Sequence, residues 1–184
     1  MERLDPRARS DIYGLRINRA PDPWRVRGVP YASIILGSLL PVLLIADLMP
    51  LVPSLGFLML LGWRMVRPGL LPLWAGAPLG AVDDLVSGQP FGSAILLWSL
   101  AMIAIEVIET RFPWSGFWQD WFTAGTMAII YWLGTLVFSG ASITPELIAV
   151  AAPQALLSVL LYPITARMVA GLDRFRLARA RKID

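Results

Sequence analysis

The chain of 184 residues contains neither cysteine nor histidine. Without cysteine it can form no disulfide bond and no thiolate metal or redox site. Without histidine it lacks the usual ligand of haem and zinc, the usual base of nucleophilic triads and the usual proton carrier near neutral pH. Charge is also scarce, since 16% of the residues are charged against roughly 25% in an average soluble domain.

Apolar residues are abundant instead. They make up 57% of the chain, the mean hydropathy is +0.63, and many lie in blocks near the length that crosses a hydrocarbon core of about 30 Å. The sequence predicts an all-α polytopic membrane protein with about six transmembrane helices. The predicted spans are 31–49, 53–63, 69–82, 91–108, 121–138 and 148–172. Prolines and arginines keep the second and third spans short and irregular, so other helices should cover them.

The positive charges predict the orientation in the membrane. An arginine-rich arm (1–30) precedes the six-helix domain (31–172), and a basic tail (173–184) follows it. The three predicted outer loops, 47–53, 83–90 and 139–146, contain no lysine or arginine. Because cytoplasmic loops carry the excess of these residues, both termini should be cytoplasmic. An alternative with four spans, in which the short pair forms one re-entrant element, also keeps both ends inside.

Asp83 and Asp84 are the most unusual residues, because they follow a long apolar stretch. A carboxylate at the centre of a bilayer costs roughly 2.5–3.5 kcal/mol. Two interpretations stay open. The pair could end or cap a short helix at the outer boundary, with Ser87-Gly88 and Gln89-Pro90 forming the following turn. Alternatively, the pair could face a polar cavity or a partner protein. Neither a nucleophile–base pair nor a metal-ligand set accompanies it in the sequence.

Two other groups of residues have simple expectations. Glu106 and Glu109 should be hydrated, or extend to the membrane surface beside Arg111. An aromatic belt at the interface between lipid and water is expected from Trp114, Phe117, Trp118 and Trp121.

The segment around the two aspartates resembles a family motif. The MreD family of bacterial rod-shape membrane proteins has roughly a glycine, a short apolar stretch and then Asp-Leu-x-Ser-Gly-x-Pro-x-Gly. The chain matches it at Gly80, Asp84, Leu85, Ser87, Gly88, Pro90 and Gly92, with Asp83 beside the first aspartate of the motif. These eight residues are the candidate partner-binding or structural site. The length, the six predicted spans and the basic ends are also similar to the family.

The resemblance implies a non-catalytic scaffold of the cell-elongation machinery in the bacterial cytoplasmic membrane, with no cofactor, metal or nucleic acid. MreC is the foremost expected partner, with MreB, RodA, the penicillin-binding transpeptidase and membrane lipids. The family is also similar in fold to the substrate-binding subunits of vitamin uptake transporters, which supplies a rival function. Such a subunit should enclose a cavity with convergent polar groups, whereas a scaffold should have grooves of small residues and exposed apolar faces. An intramembrane enzyme is the third and weakest alternative.

Overall fold

The computed structural model describes residues 23–44, 53–112, 116–140, 142 and 144–177. Within these ranges the chain forms six α-helices and one 3₁₀ turn, with no β-strand. The elements are α1 (Pro23–Leu44), α2 (Leu55–Val66), the 3₁₀ turn (Leu73–Ala75), α3 (Gly76–Ser87), α4 (Ser93–Arg111), α5 (Phe117–Phe138) and α6 (Pro145–Leu177). The all-α class expected from the sequence is confirmed.

Four helices, α1, α4, α5 and α6, are long and apolar enough to cross a membrane. Helices α2 and α3 have 12 residues each, which gives each a length of about 18 Å. A hydrocarbon core is about 30 Å thick, so neither short helix crosses it alone. The chain therefore has the character of a membrane protein, and the predicted count of six spans depends on the short pair.

The first and last helices extend beyond their predicted spans. Helix α1 begins at Pro23 rather than at residue 31, and proline is favoured in the first turn of a helix. Helix α6 ends at Leu177 rather than at residue 172. At the start of α6, the Leu147 N–H donates to the Thr144 hydroxyl oxygen at 3.3 Å, as an N-cap does. Most of the predicted arm, the end of the tail and residues 45–52 lie outside the described residues.

Helix α2 is the centre of the fold. Its residues 56–64 are all buried, because α1, α4, α5 and α6 pack around it. The Phe57 ring stacks on Tyr131, with centroids 4.4 Å apart, and packs against Trp98 at 5.8 Å. A helix that is apolar on all sides belongs in the interior. The expectation that other helices cover the short pair is thus confirmed for α2, whereas α3 buries one face only.

The chain between α2 and α3 is irregular, as its prolines and glycine predict. Leu71 and Ala75 are nevertheless buried, and the N–H groups of Leu70 and Ala75 donate to preceding carbonyl oxygens. Irregular backbone of this kind is tolerated at membrane depth when protein surrounds it.

One boundary of the third span needs correction. Helix α3 begins at Gly76 rather than at residue 69, and it continues to Ser87. Asp83 and Asp84 therefore lie within the helix and not in the outer loop predicted at 83–90. The physical reason is their spacing: Leu79, Gly80, Asp83 and Asp84 form the buried face of α3, at the separations of three and four residues that place side chains on one side of a helix.

Candidate functional site

Helices α3 and α4 form an antiparallel hairpin in which the two backbones touch. Gly76 and Gly80, one helical turn apart, face α4. A β-carbon at Gly80 would lie 2.6 Å from the carbonyl oxygen of Ala94, and one at Gly76 would lie 2.9 Å from that of Trp98. No other residue fits at either position without displacing backbone. Small residues allow the same close approach in many membrane helix pairs, and here the first motif residue, Gly80, provides it.

Asp84 continues this contact at the next turn of α3, and it is 4% exposed. Its Oδ1 accepts hydrogen bonds from the Ala94 N–H at 2.8 Å and the Ser93 hydroxyl at 3.1 Å. Its Oδ2 accepts from the N–H groups of Gly92 at 2.9 Å and Ile95 at 3.2 Å. The first N–H groups of a helix have no intrahelical acceptor, and they lie at the positive end of the helix dipole. Asp84 therefore caps the start of α4, whereas the capping interpretation had it end the short helix in which it lies.

Two glycines shape the turn between the helices. Gly88 ends α3 with φ of 69°, and Gly92 precedes α4 with φ of 101°. Both values lie in the region that favours glycine. Between them, the Pro90 carbonyl accepts from the Ser93 N–H at 3.0 Å. The motif thus builds the hairpin itself.

Two apolar side chains remain exposed around the tip of this hairpin. Leu85 is 74% exposed and Phe91 is 72% exposed. They flank the turn on either side, one in the last turn of α3 and the other just before α4. Gly88 and Pro90 are exposed as well, and Leu85 and Phe91 are the large apolar side chains that this segment offers to lipid or to another protein.

Asp83 has a different environment from Asp84. It is 3% exposed and faces α1 and α5, where the Tyr131 hydroxyl donates to its Oδ2 at 3.3 Å and Ser38 supplies a second hydroxyl. A cavity of about 120 Å³ adjoins Asp83. Its polar lining consists of Ser38, Ser54, Asp83, Ser87, Gln89 and Gln154. A smaller cavity of about 30 Å³ shares Ser54, Gln89 and Gln154 with it. The polar-cavity interpretation therefore applies to Asp83.

The opposite end of the bundle contains ion pairs that the sequence analysis did not predict. Arg64, 2% exposed, pairs through Nη2 with Glu106 and, at 2.9 Å, with Glu109. Both glutamates are partly exposed, as expected, but the sequence analysis missed their cation, which is Arg64, buried on α2. One signal was present in the sequence. Residues at positions i and i+3 share a helix face, and Arg64 interrupts an apolar run that needs a counter-charge.

A second ion-pair group lies at the same end. Asp173 accepts from Arg67 at 2.8 Å and from Arg176 at 2.7 Å. Arg176 also donates to the Val26 carbonyl at 2.9 Å, and its guanidinium lies 5.5 Å from the centre of the Trp63 ring. Asp173 and Arg176, which the sequence placed in a basic tail, are thus buried parts of the fold. They join the start of α1 and the ends of α2 and α6.

The aromatic residues at the start of α5 divide into two kinds. Phe117 and Trp118 are 58% and 63% exposed, as expected of rings in an interfacial belt. Trp121 instead donates its indole N–H to the Val159 carbonyl at 3.0 Å, which links α5 to α6. Trp114 lies outside the described residues.

Fold and site together define a helical membrane protein with a capped hairpin at one end and buried ion pairs at the other. No family model matches the chain, and neither a curated protein nor a solved structure matches it. Within the described part of the chain, no three acidic side chains come together in a group that could hold a metal ion.

Proposed function

We propose that this protein is a non-catalytic scaffold in the bacterial cytoplasmic membrane, where it couples MreC and MreB to the peptidoglycan synthases of cell elongation. One observation carries the proposal. The segment that resembles the MreD motif forms a hairpin fixed by Gly80, Asp84, Gly88 and Gly92, and this hairpin leaves Leu85 and Phe91 exposed. A rigid element with an apolar tip suits the docking of a membrane partner, because little order is lost when it binds.

The internal spaces support a scaffold over a transporter subunit. The cavity beside Asp83 measures about 120 Å³ and the one that shares Ser54 with it about 30 Å³, and a third, near Glu109 and Asp120, measures about 250 Å³. Sites for small organic molecules usually have roughly 300–1,000 Å³. The exterior fits the scaffold expectation better. An apolar groove of about 280 Å³ runs between α1, α2 and α6, and Gly37 brings α1 close to Gly56 of α2 beside it.

We further propose six crossings with both ends in the cytoplasm. The start of α1 and the ends of α2, α4 and α6 lie together at one end of the bundle, where the ion pairs connect them. The end of α3, the start of α4 and the later part of α1 lie together at the other end. Asp84 contacts α4 there, and Asp83 shares a cavity with α1. Successive helices from α1 to α4 therefore alternate in direction. The third crossing combines the buried irregular chain around Leu71 and Ala75 with helix α3.

Cysteine labelling at Pro68 distinguishes six crossings from four. The chain has no native cysteine, so a single introduced cysteine can be labelled by itself. In the six-span arrangement the exposed Pro68 lies at the cytoplasmic surface. A re-entrant pair would instead bury it at mid-membrane. Pro68→Cys should therefore react with an impermeant maleimide only in inverted vesicles. Phe91→Cys and Arg174→Cys serve as outside and inside controls. Protection of Pro68→Cys from both sides would favour four spans.

Partner binding is tested at the tip of the hairpin. Leu85→Asp and Phe91→Ala should reduce co-purification of MreC from mild detergent and cause cells to round up, with normal amounts of protein in the membrane. Phe122→Ala is the matched control, since Phe122 is 67% exposed on α5. Normal cell shape and an intact complex in both tip variants would contradict this docking site. Conversion of a lipid-linked wall precursor by the purified protein would contradict the scaffold proposal as a whole.

A further inference from the structure

Asp83 and Asp84 differ in how well their buried carboxylates are compensated. Asp84 receives four hydrogen bonds at a helix N-terminus. Asp83 is equally buried, but two hydroxyls, from Tyr131 and Ser38, are its side-chain partners in the described part of the chain. A carboxylate has about four acceptor sites, and an ionised carboxylate is expensive to bury unless a positive charge or further donors compensate it.

The described part of the chain has no cation at this end of the bundle. Its sequence contains no lysine or arginine from residue 28 to 63, from 68 to 110 or from 112 to 166. All four ion pairs among the described residues lie at the opposite end. No described residue therefore supplies positive charge to Asp83, and an ion from solution is a source that the cavity can accept.

The cavity beside Asp83 offers oxygen atoms to such a charge. Ser87 contributes a buried hydroxyl that has no hydrogen-bond partner among the described residues. Ser38, Ser54, Gln89 and Gln154 complete the polar lining. Hydroxyl, amide and carboxylate oxygens are the ligands of hard cations, whereas the cavity lining includes no cysteine, histidine or methionine that would bind a softer metal. About 120 Å³ holds an ion with a few waters.

We propose that this cavity binds one monovalent alkali cation, with sodium the best fit, and that Asp83 and Ser87 are its principal ligands. The charge decides between ion classes. Both carboxylate oxygens of Asp84 accept hydrogen bonds from the start of α4. Asp83 is therefore the single carboxylate of the cavity, and one carboxylate matches one positive charge. Calcium usually takes 6–8 oxygen ligands and magnesium demands a near-octahedral set, and two charges would exceed the one that Asp83 supplies.

The test is thermal unfolding of the full-length protein in mild detergent, in sodium, potassium or choline chloride at one ionic strength. Sodium should raise the midpoint saturably above its value in choline, with potassium weaker. Radioactive sodium should bind at one ion per chain. Asp83→Asn should abolish both effects, and Ser87→Ala should weaken the apparent affinity about tenfold or more. Glu146→Gln, which removes an exposed carboxylate, should leave sodium binding unchanged.

Several outcomes would overturn the site. Equal midpoints in sodium, potassium and choline, together with no bound sodium, would mean that Asp83 is neutralised by a proton. Retention of sodium binding by Asp83→Asn would place the ion elsewhere, and calcium stabilisation at far lower concentrations would overturn the monovalent assignment. If Asp83→Asn fails to fold, the binding isotherm of Ser87→Ala decides, and an affinity equal to that of the unmodified protein rejects the site.

Discussion

The two ends of the helix bundle bury charge by different means. At the end with Arg64, the guanidinium groups of Arg64 on α2 and Arg67 just after it meet carboxylates on α4 and α6. At the end with Asp84, a carboxylate meets the N–H groups of a helix start, and no arginine takes part. Ion pairs need two long side chains in one geometry, whereas a capped hairpin needs two backbones in contact. The first end should therefore be sensitive to loss of charge, and the second to added volume.

Arg64→Leu should have the largest effect on stability. It leaves Glu106 and Glu109 without their cation, and breaking a buried pair costs about 3–5 kcal/mol. Both glutamates are partly exposed, at 43% and 28%, so hydration should hold the loss near the lower value, about 3 kcal/mol. The measurement is the free energy of unfolding in detergent, with unfolding monitored by circular dichroism.

Two further variants test whether the loss in Arg64→Leu comes from leaving buried charge unpaired. Arg111→Leu, which removes an exposed arginine at the end of α4, should have little effect. Neutralising all three members with Arg64→Met, Glu106→Gln and Glu109→Gln should recover much of the loss, because no charge is then left unpaired. If Arg111→Leu proves as damaging as Arg64→Leu, burial of the pair is not what matters.

Gly80→Ala tests the other end by adding volume alone. Its β-carbon would lie 2.6 Å from a backbone oxygen of α4, so the hairpin must open, at a cost of about 2 kcal/mol. Gly171→Ala is the control, because a β-carbon there meets nothing within 4 Å. Replacing glycine within a helix should then stabilise by roughly 0.5–1 kcal/mol. Opposite signs for the two substitutions are the expected result in the same unfolding measurement, and equal signs would count against tight backbone contact.

Local patterns predicted much of the fold. Continuous apolar blocks placed α4 and α5 within a few residues, and Pro68, Gly69 and Pro72 predicted the break between the short helices. The start of α3 was missed, because the irregular segment before it is as apolar as the helix. The hairpin motif could be located but not explained, since the role of Asp84 depends on donors 8 to 11 residues further along the chain.

Contacts distant in sequence set the limit of such predictions. Arg64 and Glu106 are 42 residues apart, and Arg176 and Val26 are 150 apart. Composition and periodicity describe one helix at a time, so they do not indicate which helix ends meet. The separate roles of Asp83 and Asp84 were hidden for the same reason. Adjacent residues on a helix point in directions about 100° apart, and only the packed bundle shows that one faces α4 while the other faces α1 and α5.

Asp84→Asn should have an intermediate effect. An asparagine keeps one acceptor oxygen, but its NH₂ group would face backbone N–H donors, either those of Gly92 and Ile95 or that of Ala94. Loss of a capping oxygen costs roughly 0.5–2 kcal/mol, and we expect about 1.5 kcal/mol. In the variant, the amides of the first turn of α4 should exchange with solvent faster than in the unmodified protein, because the helix start is less well capped. Unchanged or slower exchange there would contradict the capping role. Glu146→Gln, at the exposed start of α6, is the control and should leave amide exchange at the first turn of α4 unchanged.

Arg67→Ala should have the smallest effect, and it separates exposed from buried ion pairs at the same end of the bundle. The Arg67 side chain is 51% exposed, and exposed pairs contribute about 0.2–1 kcal/mol. Asp173 also keeps its second cation, Arg176, which is 5% exposed. We therefore expect a loss of about 0.5 kcal/mol that shrinks in high salt, because salt screens exposed charges most strongly. Arg174→Ala, on the exposed side of α6, is the control for removing a positive charge there. A loss near that of Arg64→Leu would mean that position at the end of α2, rather than burial, determines how much each arginine contributes to stability.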